Sequence, residues 1–426
     1  MKTKLVIFGI TGDLAQRKLL PALREIVKTD EFNDLEIVGV SRRAITPAEL
    51  FGDENDPLFL CTSVFTMDLA DAKAYVRLKE HLNLGPEDQA LLYLSVPPSA
   101  TYQIIELLGE AKLTTPQVKL LLEKPFGMDY TSAVEMNNRL GEFFSEGQIY
   151  RIDHYLAKEM AQNIVAFRQH NALFSHIWNG KSVEKIEVVA SETLAIEGRS
   201  EFYEQTGALR DVLQGHLMQL LALVLMEMPK EFSWQDVPAR RQAALEKLLP
   251  ADPAQACRAQ YKGYGEAVGN PGSTTETFAF ARLFSADPVW KDVPLELTTG
   301  KALNEKKTEI RIHFRKFHET QGNMLVLRIQ PDEAVEMEFL AKKPGYARVL
   351  EPHKMSFTYP EETVLGDAYE QVLVDAIRSH KSVFAASGEI LASWKALQPL
   401  LDAWAMAGET PAEYEVGTDT HTICRV

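Results

Sequence analysis

The chain has 426 residues, 46% of them hydrophobic and 25% charged, with 60 acidic against 45 basic side chains and a formal net charge of −15. This length allows about two or three domains, the balance is that of a globular enzyme, and the acidity argues against nonspecific nucleic-acid binding, because a phosphate backbone would be repelled. No run approaches the roughly 18 apolar residues of a membrane span, and Lys4-Leu5-Val6-Ile7-Phe8-Gly9 is too short for a secretory segment, so the expectation is a cytoplasmic protein with neither membrane nor nucleic-acid partner.

Strand-like and helix-like stretches alternate from residue 1 to 124. They run Lys4 to Gly9, a helix from about Asp13 through Val27, then strands Leu35 to Ser41, Ser63 to Asp68, Gln89 to Val96 and Val118 to Glu123. The alternation predicts a parallel sheet wrapped by helices. Gly9-Ile10-Thr11-Gly12-Asp13-Leu14 joins the first strand to the first helix, where glycines admit close backbone approach and the helix start offers amides to a pyrophosphate. Two glycines in such a turn are weak evidence alone. The second strand strengthens it, since it ends in Ser41-Arg42-Arg43 where NAD binders place an acid. A guanidinium fork suits a 2'-phosphate, so the expected cofactor is NADP, with NAD a weaker substitute. Later strands end in Ser95-Val96-Pro97-Pro98 and Glu123-Lys124-Pro125 at the same edge. There Lys124 can bond a sugar hydroxyl or attract an anion, and Pro125 can hold the turn rigid, including through a cis bond.

Residues 151–159 read Arg-Ile-Asp-His-Tyr-Leu-Ala-Lys-Glu, which places an acid, a histidine, a phenol and a lysine between the strand ending at Ile152 and the helix starting near Lys158. Ligands commonly sit at such junctions. If the extended conformation reaches this far, Asp153 and His154 face opposite sides and cannot both address one atom. Tyr155 and Lys158, three apart at a helix start, share a face toward an anion.

From about Val183 the pattern becomes alternating strands: Lys185 to Ser191, Thr277 to Leu283, Pro294 to Thr299, Thr308 to Phe314, Met324 to Gln330 and Ala334 to Leu340. This predicts a large antiparallel sheet. One helix interrupts it, Thr206 to Glu227, with a stripe of Leu209, Val212, Leu213, Leu220, Leu223 and Val224 on which His216 falls. An isolated histidine there is ordinarily a core residue. Asp211, five residues earlier, lies about 140° around an ideal α-helix, so another carboxylate must orient the imidazole. Lys301 and Lys306 sit in a basic turn, and Cys61, Cys257 and Cys424 are scattered structural thiols with neither a paired framework nor metal-ligand spacing.

The nonapeptide resembles the signature of the glucose-6-phosphate dehydrogenases, with Ala157 in place of a glycine. Gly-x-Thr-Gly-Asp-Leu-Ala-x-Arg-Lys-Leu-x-Pro at the amino terminus, Gly207 to His216, and Thr299-Gly300-Lys301-Ala302-Leu303 with Lys306 are similar to further motifs of that family. The resemblance implies an α/β dinucleotide-binding domain of Rossmann type over residues 1–150, then a large α+β domain over 151–426 with a mostly antiparallel sheet. It implies an Asp153–His216 dyad in which His216 takes the proton from the C1 hydroxyl of D-glucose 6-phosphate. His154, Tyr155 and Lys158 would hold the 6-phosphate, while Glu192, Asp211, Lys124, Lys301 and Lys306 would meet the sugar phosphate. Gly9, Thr11, Gly12, Asp13, Leu14, Lys18, Ser41, Arg42, Pro97, Lys124 and Pro125 would face the NADP side, with no metal. The family's sheet makes a dimer interface, so a homodimer or homotetramer is expected. The chain departs from the pattern at Gly215, where an asparagine is usual, and at Thr298, where an arginine is usual. The alternatives are a dehydrogenase of another hexose phosphate and a catalytically silent sugar-phosphate binder.

Overall fold

The computed structural model describes residues 2–196, 198, 200–316, 322–360 and 362–424. The first sheet is built from runs of Leu, Val and Ile that are buried on both faces, as central parallel strands must be. Its strands are β1 (Thr3–Phe8), β2 (Leu35–Ser41), β3 (Thr62–Thr66), β4 (Gln89–Leu94), β5 (Val118–Leu122) and β6 (Ile149–Ile152), in the order β3-β2-β1-β4-β5-β6. All of these pair parallel. The chain leaves β1 toward β2 on one side and later returns as β4 on the other. That reversal opens a crevice at the carboxyl ends of β1 and β4, the place where such sheets take ligands. Phe8 pairs with Leu94, which brings the loop after β1 against the loop after β4.

The second sheet contains β7 (Val183–Ser191), β8 (Ala256–Tyr261), β9 (Phe278–Leu283), β10 (Leu295–Gly300), β11 (Lys307–Phe314), β12 (Met324–Gln330), β13 (Ala334–Lys342) and β14 (Leu350–Thr358). A late strand, β15 (Phe384–Ala385), returns to the first sheet and pairs antiparallel with β6, while β16 (Ala412–Tyr414) closes one edge of the second. The second sheet's order is β14-β13-β12-β11-β7-β10-β9-β8-β16, and every pair is antiparallel except β7 with β10 and β8 with β16. A mostly antiparallel sheet is thus observed, as expected from the sequence.

A single apolar core joins both sheets through the helical stretch Ser200–Leu225. That stretch is long and apolar enough to cross a membrane, yet 89% of its most apolar 18-residue window is buried inside the protein. Every residue of Met218–Leu225 is buried, and each of its large apolar side chains contributes roughly 1.5–3 kcal/mol by leaving water.

Two expectations are corrected here. The helix read as Thr206 to Glu227 is not one α-helix. It breaks at Gly207 (φ 66°, ψ −179°), runs as a π-helix over Leu209–Leu217, and becomes α-helical only at Met218–Leu225. Cys257 and Cys424, read as separate thiols, are joined as a disulfide across 167 residues, because β16 lays the carboxyl-terminal tail beside β8; Cys61 stays free.

Candidate active site

His216 is positioned by the break in the helix. Gly207 sits in backbone space closed to other residues, and a Cβ there would come within 2.4 Å of Glu276 Oε1. The buried Glu276 carboxylate instead accepts the Leu209 amide at 2.9 Å, and its carbonyl accepts the Ala208 amide at 3.0 Å, which anchors the start of the π segment. In a π-helix residues five apart stand one above the other. Asp211 and His216 therefore share a face, contrary to the 140° separation expected of an ideal α-helix. Asp211 also turns its carbonyl toward the site, where it accepts from Lys124 Nζ at 3.0 Å.

Asp153 arrives from the other side. The extended run stops at Ile152 and the chain turns, with the Leu156 amide bonded to the Asp153 carbonyl at 3.0 Å. Because the strand ends there, the opposite-faces expectation for Asp153 and His154 fails. Asp153, His154 and His216 bring their polar atoms within 4.8 Å of one another. Asp153 Oδ1 lies 2.7 Å from His216 Nδ1 and also accepts the Tyr155 amide at 3.0 Å. A carboxylate only accepts, so Nδ1 carries the proton and Nε2 keeps its lone pair. The Lys124 ammonium donates to that nitrogen at 2.7 Å.

The dyad is dry, with Asp153 2% and His216 6% exposed. Burial alone would raise the Asp153 carboxyl, but the imidazole of His216 and the Lys124 ammonium override it and hold the carboxyl far below its ordinary range. Burial pushes His216 down, and the Lys124 ammonium adds to this, while Asp153 and Asp211 push back up. His216, pushed below its ordinary value, is therefore neutral near pH 7, the state in which an imidazole can accept a proton.

Around it stand Tyr155, His154 and a group of lysines. Tyr155 stacks on His216 at 4.1 Å between ring centres, and its hydroxyl accepts from Gln330 Nε2 at 3.2 Å. His154 packs edge-on to His216 at 4.7 Å and flat against Tyr369 at 6.1 Å; burial pushes its pKa well down, with the charges of Lys124 and Lys158 adding to this and Asp153 opposing it. Lys158 stands at the start of the helix Glu159–His170 without a side-chain capping bond and makes no ion pair among the described residues. Burial lowers its pKa, Glu333 and Asp367 oppose that, and the charges of Lys18 and Lys306 lower it further, so the three lysines converge. Lys18, expected on the cofactor side, is bonded to Asp367 at 2.9 Å and lies over the Tyr369 ring at 6.0 Å, next to this cluster. Lys301 and Glu192 bond to each other at 2.7 Å, with Lys301 over Tyr203. Lys306 is exposed.

Across the cleft is the crevice at the switch point. Gly9 has φ 83°, and a Cβ on it would sit 2.4 Å from the Ser95 carbonyl, so only glycine fits. The Gly12 amide closes the turn onto the Gly9 carbonyl at 2.8 Å. Thr11, Asp13 and the half-buried Leu14 follow at the helix start, Asp13 paired with Arg17 at 2.6 Å. That helix too opens with a π turn, Ala15–Leu19, which lets it pass Pro21, a residue with no amide hydrogen to donate. At the end of β2, Ser41 is buried and accepts the Arg43 amide at 3.1 Å, while Arg42 and Arg43 are exposed and form no ion pair among the described residues. A cleft of about 240 Å³ is lined by Leu94, Val96, Pro98, Lys124, Pro125 and Met136 at the ends of β4 and β5; of these, Lys124 bonds His216. Pro97 stands at its mouth as the cap of the helix Pro98–Glu110, and the Lys124–Pro125 bond is cis. These residues fit a nicotinamide dinucleotide: the glycine cradle for pyrophosphate, free arginines at the ribose, an apolar slot for the ring.

Several residues here escaped the sequence reading. The half-buried Glu123 and the buried Tyr93 and Tyr369 form a cluster next to Lys124, with Tyr93 donating to Glu123 at 2.5 Å. Gln330 and Thr308 hold Tyr155 in place. The only signal for Tyr369 was its position just after the capping Asp367, and the strand residues Thr308 and Gln330 gave none.

Fold and site together define the class of a nicotinamide-dependent oxidoreductase. Comparison with known proteins narrows this. The family model described as glucose-6-phosphate dehydrogenase, NAD binding domain, matches residues 6–163, and that for the C-terminal domain matches 165–422. The chain is 34% identical to the glucose-6-phosphate 1-dehydrogenase of Chlamydia muridarum, over 94% of this chain and 90% of that protein. It is 35% identical to that of Borreliella burgdorferi, over 94% and 92%. A solved glucose-6-phosphate dehydrogenase in complex with its substrate glucose-6-phosphate superposes with a TM-score of 0.91 at 31% identity, covering 98% of this chain and 95% of that one. The chain belongs to the glucose-6-phosphate dehydrogenase family.

Proposed function

We propose that this chain oxidises D-glucose 6-phosphate at C1 to 6-phospho-D-glucono-1,5-lactone, the first step of the oxidative pentose phosphate pathway, using NADP in preference to NAD. The observation that carries the reading is the buried Asp153–His216 bond of 2.7 Å, which leaves Nε2 as a proton acceptor beside Lys124, a residue of the cleft's lining. The nicotinamide, when bound, supplies the hydride acceptor. His216 takes the C1 hydroxyl proton as hydride leaves the same carbon, and Asp153 stabilises the imidazolium that results. Lys158 with Lys18 and Lys306, beside His154 and Tyr155, is the cationic seat for the 6-phosphate. Glu192, Asp211, Lys124 and Lys301 are placed for the sugar hydroxyls. Arg42, exposed and unpaired among the described residues at the ribose end, supports the preference for NADP.

We assign the activity to the cytoplasm and the working form to a homodimer or homotetramer. The test is reduced-nicotinamide absorbance with purified protein, glucose 6-phosphate and either NADP or NAD, alongside His216→Asn. Loss of the base should lower turnover ~10²- to 10⁴-fold. Wild-type protein that binds NADP but reduces none of it with this sugar would turn the reading toward another hexose phosphate or a silent binder.

A further inference from the structure

Lys124 occupies an unexpected place. It leaves the end of β5, crosses the π segment and puts its ammonium 2.7 Å from His216 Nε2, the atom that must receive the substrate proton, with a second bond to the Asp211 carbonyl at 3.0 Å. The residue it crosses is Gly215. A Cβ at that position would lie 2.5 Å from Lys124 Nζ, 3.2 Å from its Cδ and 3.4 Å from its Cε. The lysine can take this path only because position 215 has no side chain. Gly215 has no left-handed backbone to explain it, as its φ is not among the positive values, and a glycine inside a helix costs roughly 0.5–1 kcal/mol relative to alanine. The space it leaves is filled by the lysine.

We infer that Gly215 is a positioning residue: its missing side chain seats Lys124 across the π segment, so that the ammonium caps the lone pair of the base until the sugar hydroxyl displaces it. This rests on the assignment of His216 as the base. The cap keeps water and stray protons from Nε2 in the resting enzyme and delivers Lys124 beside the C1 oxygen once that hydroxyl arrives.

The charges facing His216 set the sign of the test. Asp153 bonds Nδ1, His154 and Tyr155 pack against the ring from the turn after β6, Lys124 reaches Nε2 from the end of β5, and Asp211 lies on the same π segment. Of these, Lys124 is the cation in direct contact. Moving it away removes an influence that disfavours the imidazolium, so the midpoint of His216 must rise.

The experiment titrates the His216 imidazole by nuclear magnetic resonance in full-length enzyme carrying nitrogen-labelled histidine. It compares wild type, Gly215→Ala, Lys124→Met and the double variant. The contact that a Cβ disturbs is the tip of a flexible side chain, so Gly215→Ala retains its fold. Both single variants should raise the His216 midpoint by about 1 unit, the acid limb of kcat/KM in Gly215→Ala should move up with it, and the double variant should match Lys124→Met. An unshifted midpoint in Lys124→Met overturns the cap even if Gly215→Ala cannot be prepared. An unshifted Gly215→Ala, or a shift from it that persists without Lys124, overturns the role of Gly215. Because the readout does not need turnover, failure here is separable from failure of the dehydrogenase assignment, which the His216→Asn assay decides.

Discussion

At the scale of single residues, Glu123 and Lys124 show how a strand end divides labour. Lys124 reaches the base, while Glu123 lies beneath it between Tyr93 and Tyr369. Burial raises the Glu123 carboxyl from 4.5 to about 7, against the opposing pull of Tyr93, Lys124 and Tyr369. A carboxyl raised in the fold keeps a proton that the unfolded chain has already released. Its contribution to stability is therefore full at low pH, falls between the unfolded value of 4.5 and the folded value of about 7, and is level above that. At 1.36 kcal/mol per unit, the loss is about 3 kcal/mol. Denaturant unfolding at about pH 5 and about pH 8 should show the wild type losing more stability than Glu123→Gln by roughly that amount. Equal losses in the two proteins would mean that Glu123 is ionised in the fold throughout. Lys124 was legible from the sequence because a lysine at a strand's carboxyl end has an evident use. Glu123 was not, because whether a carboxylate beside it is solvated or buried depends on Tyr369, far away in the chain.

At the scale of elements, the strands of the first sheet were legible because buried parallel strands are continuous apolar runs. The missed strands lack that mark: β8 reads Ala-Cys-Arg-Ala-Gln-Tyr, and β14 carries Pro352 on an exposed edge where proline is tolerated. The Asp153–His216 pairing came from family resemblance, and the structure supplies its physical basis. Hydrophobic patterning told of a helix through His216 but not of its π register, since the stripe of leucines and valines is buried under either winding. The sequence mark of the π segment is Gly207, whose conformation and close approach to Glu276 start it. In Gly207→Ala the new Cβ would meet Glu276 Oε1 at 2.4 Å in addition to the strained φ. Such a position costs of order 1–3 kcal/mol, so the denaturation midpoint should fall accordingly. Turnover should fall much more than substrate affinity, because the base moves while the lysine cluster, carried on other elements, stays. A variant with full turnover and lowered stability would show that the π segment is held by its packing alone.

At the scale of the whole molecule, the edge strand β14 of the second sheet exposes apolar side chains among its charged ones. On β14, Leu350 is 51%, Met355 61% and Phe357 43% exposed. Met355 pairs with the half-buried Met337 on β13, so the apolar surface continues from the edge strand toward the sheet. An outermost strand with exposed apolar side chains is an association hazard unless something covers it. A second copy of the chain is the occupant proposed here, and in a two-fold interface the same patch meets itself, so one substitution enters the contact twice. Met355→Asp should therefore shift the mass measured by light scattering from the oligomer to a single chain, at concentrations where the wild type stays assembled. The His216 site lies on other elements, so the separated chain should still bind NADP. A wild type that is monomeric, or a Met355→Asp protein that remains assembled, would place the interface on a different face.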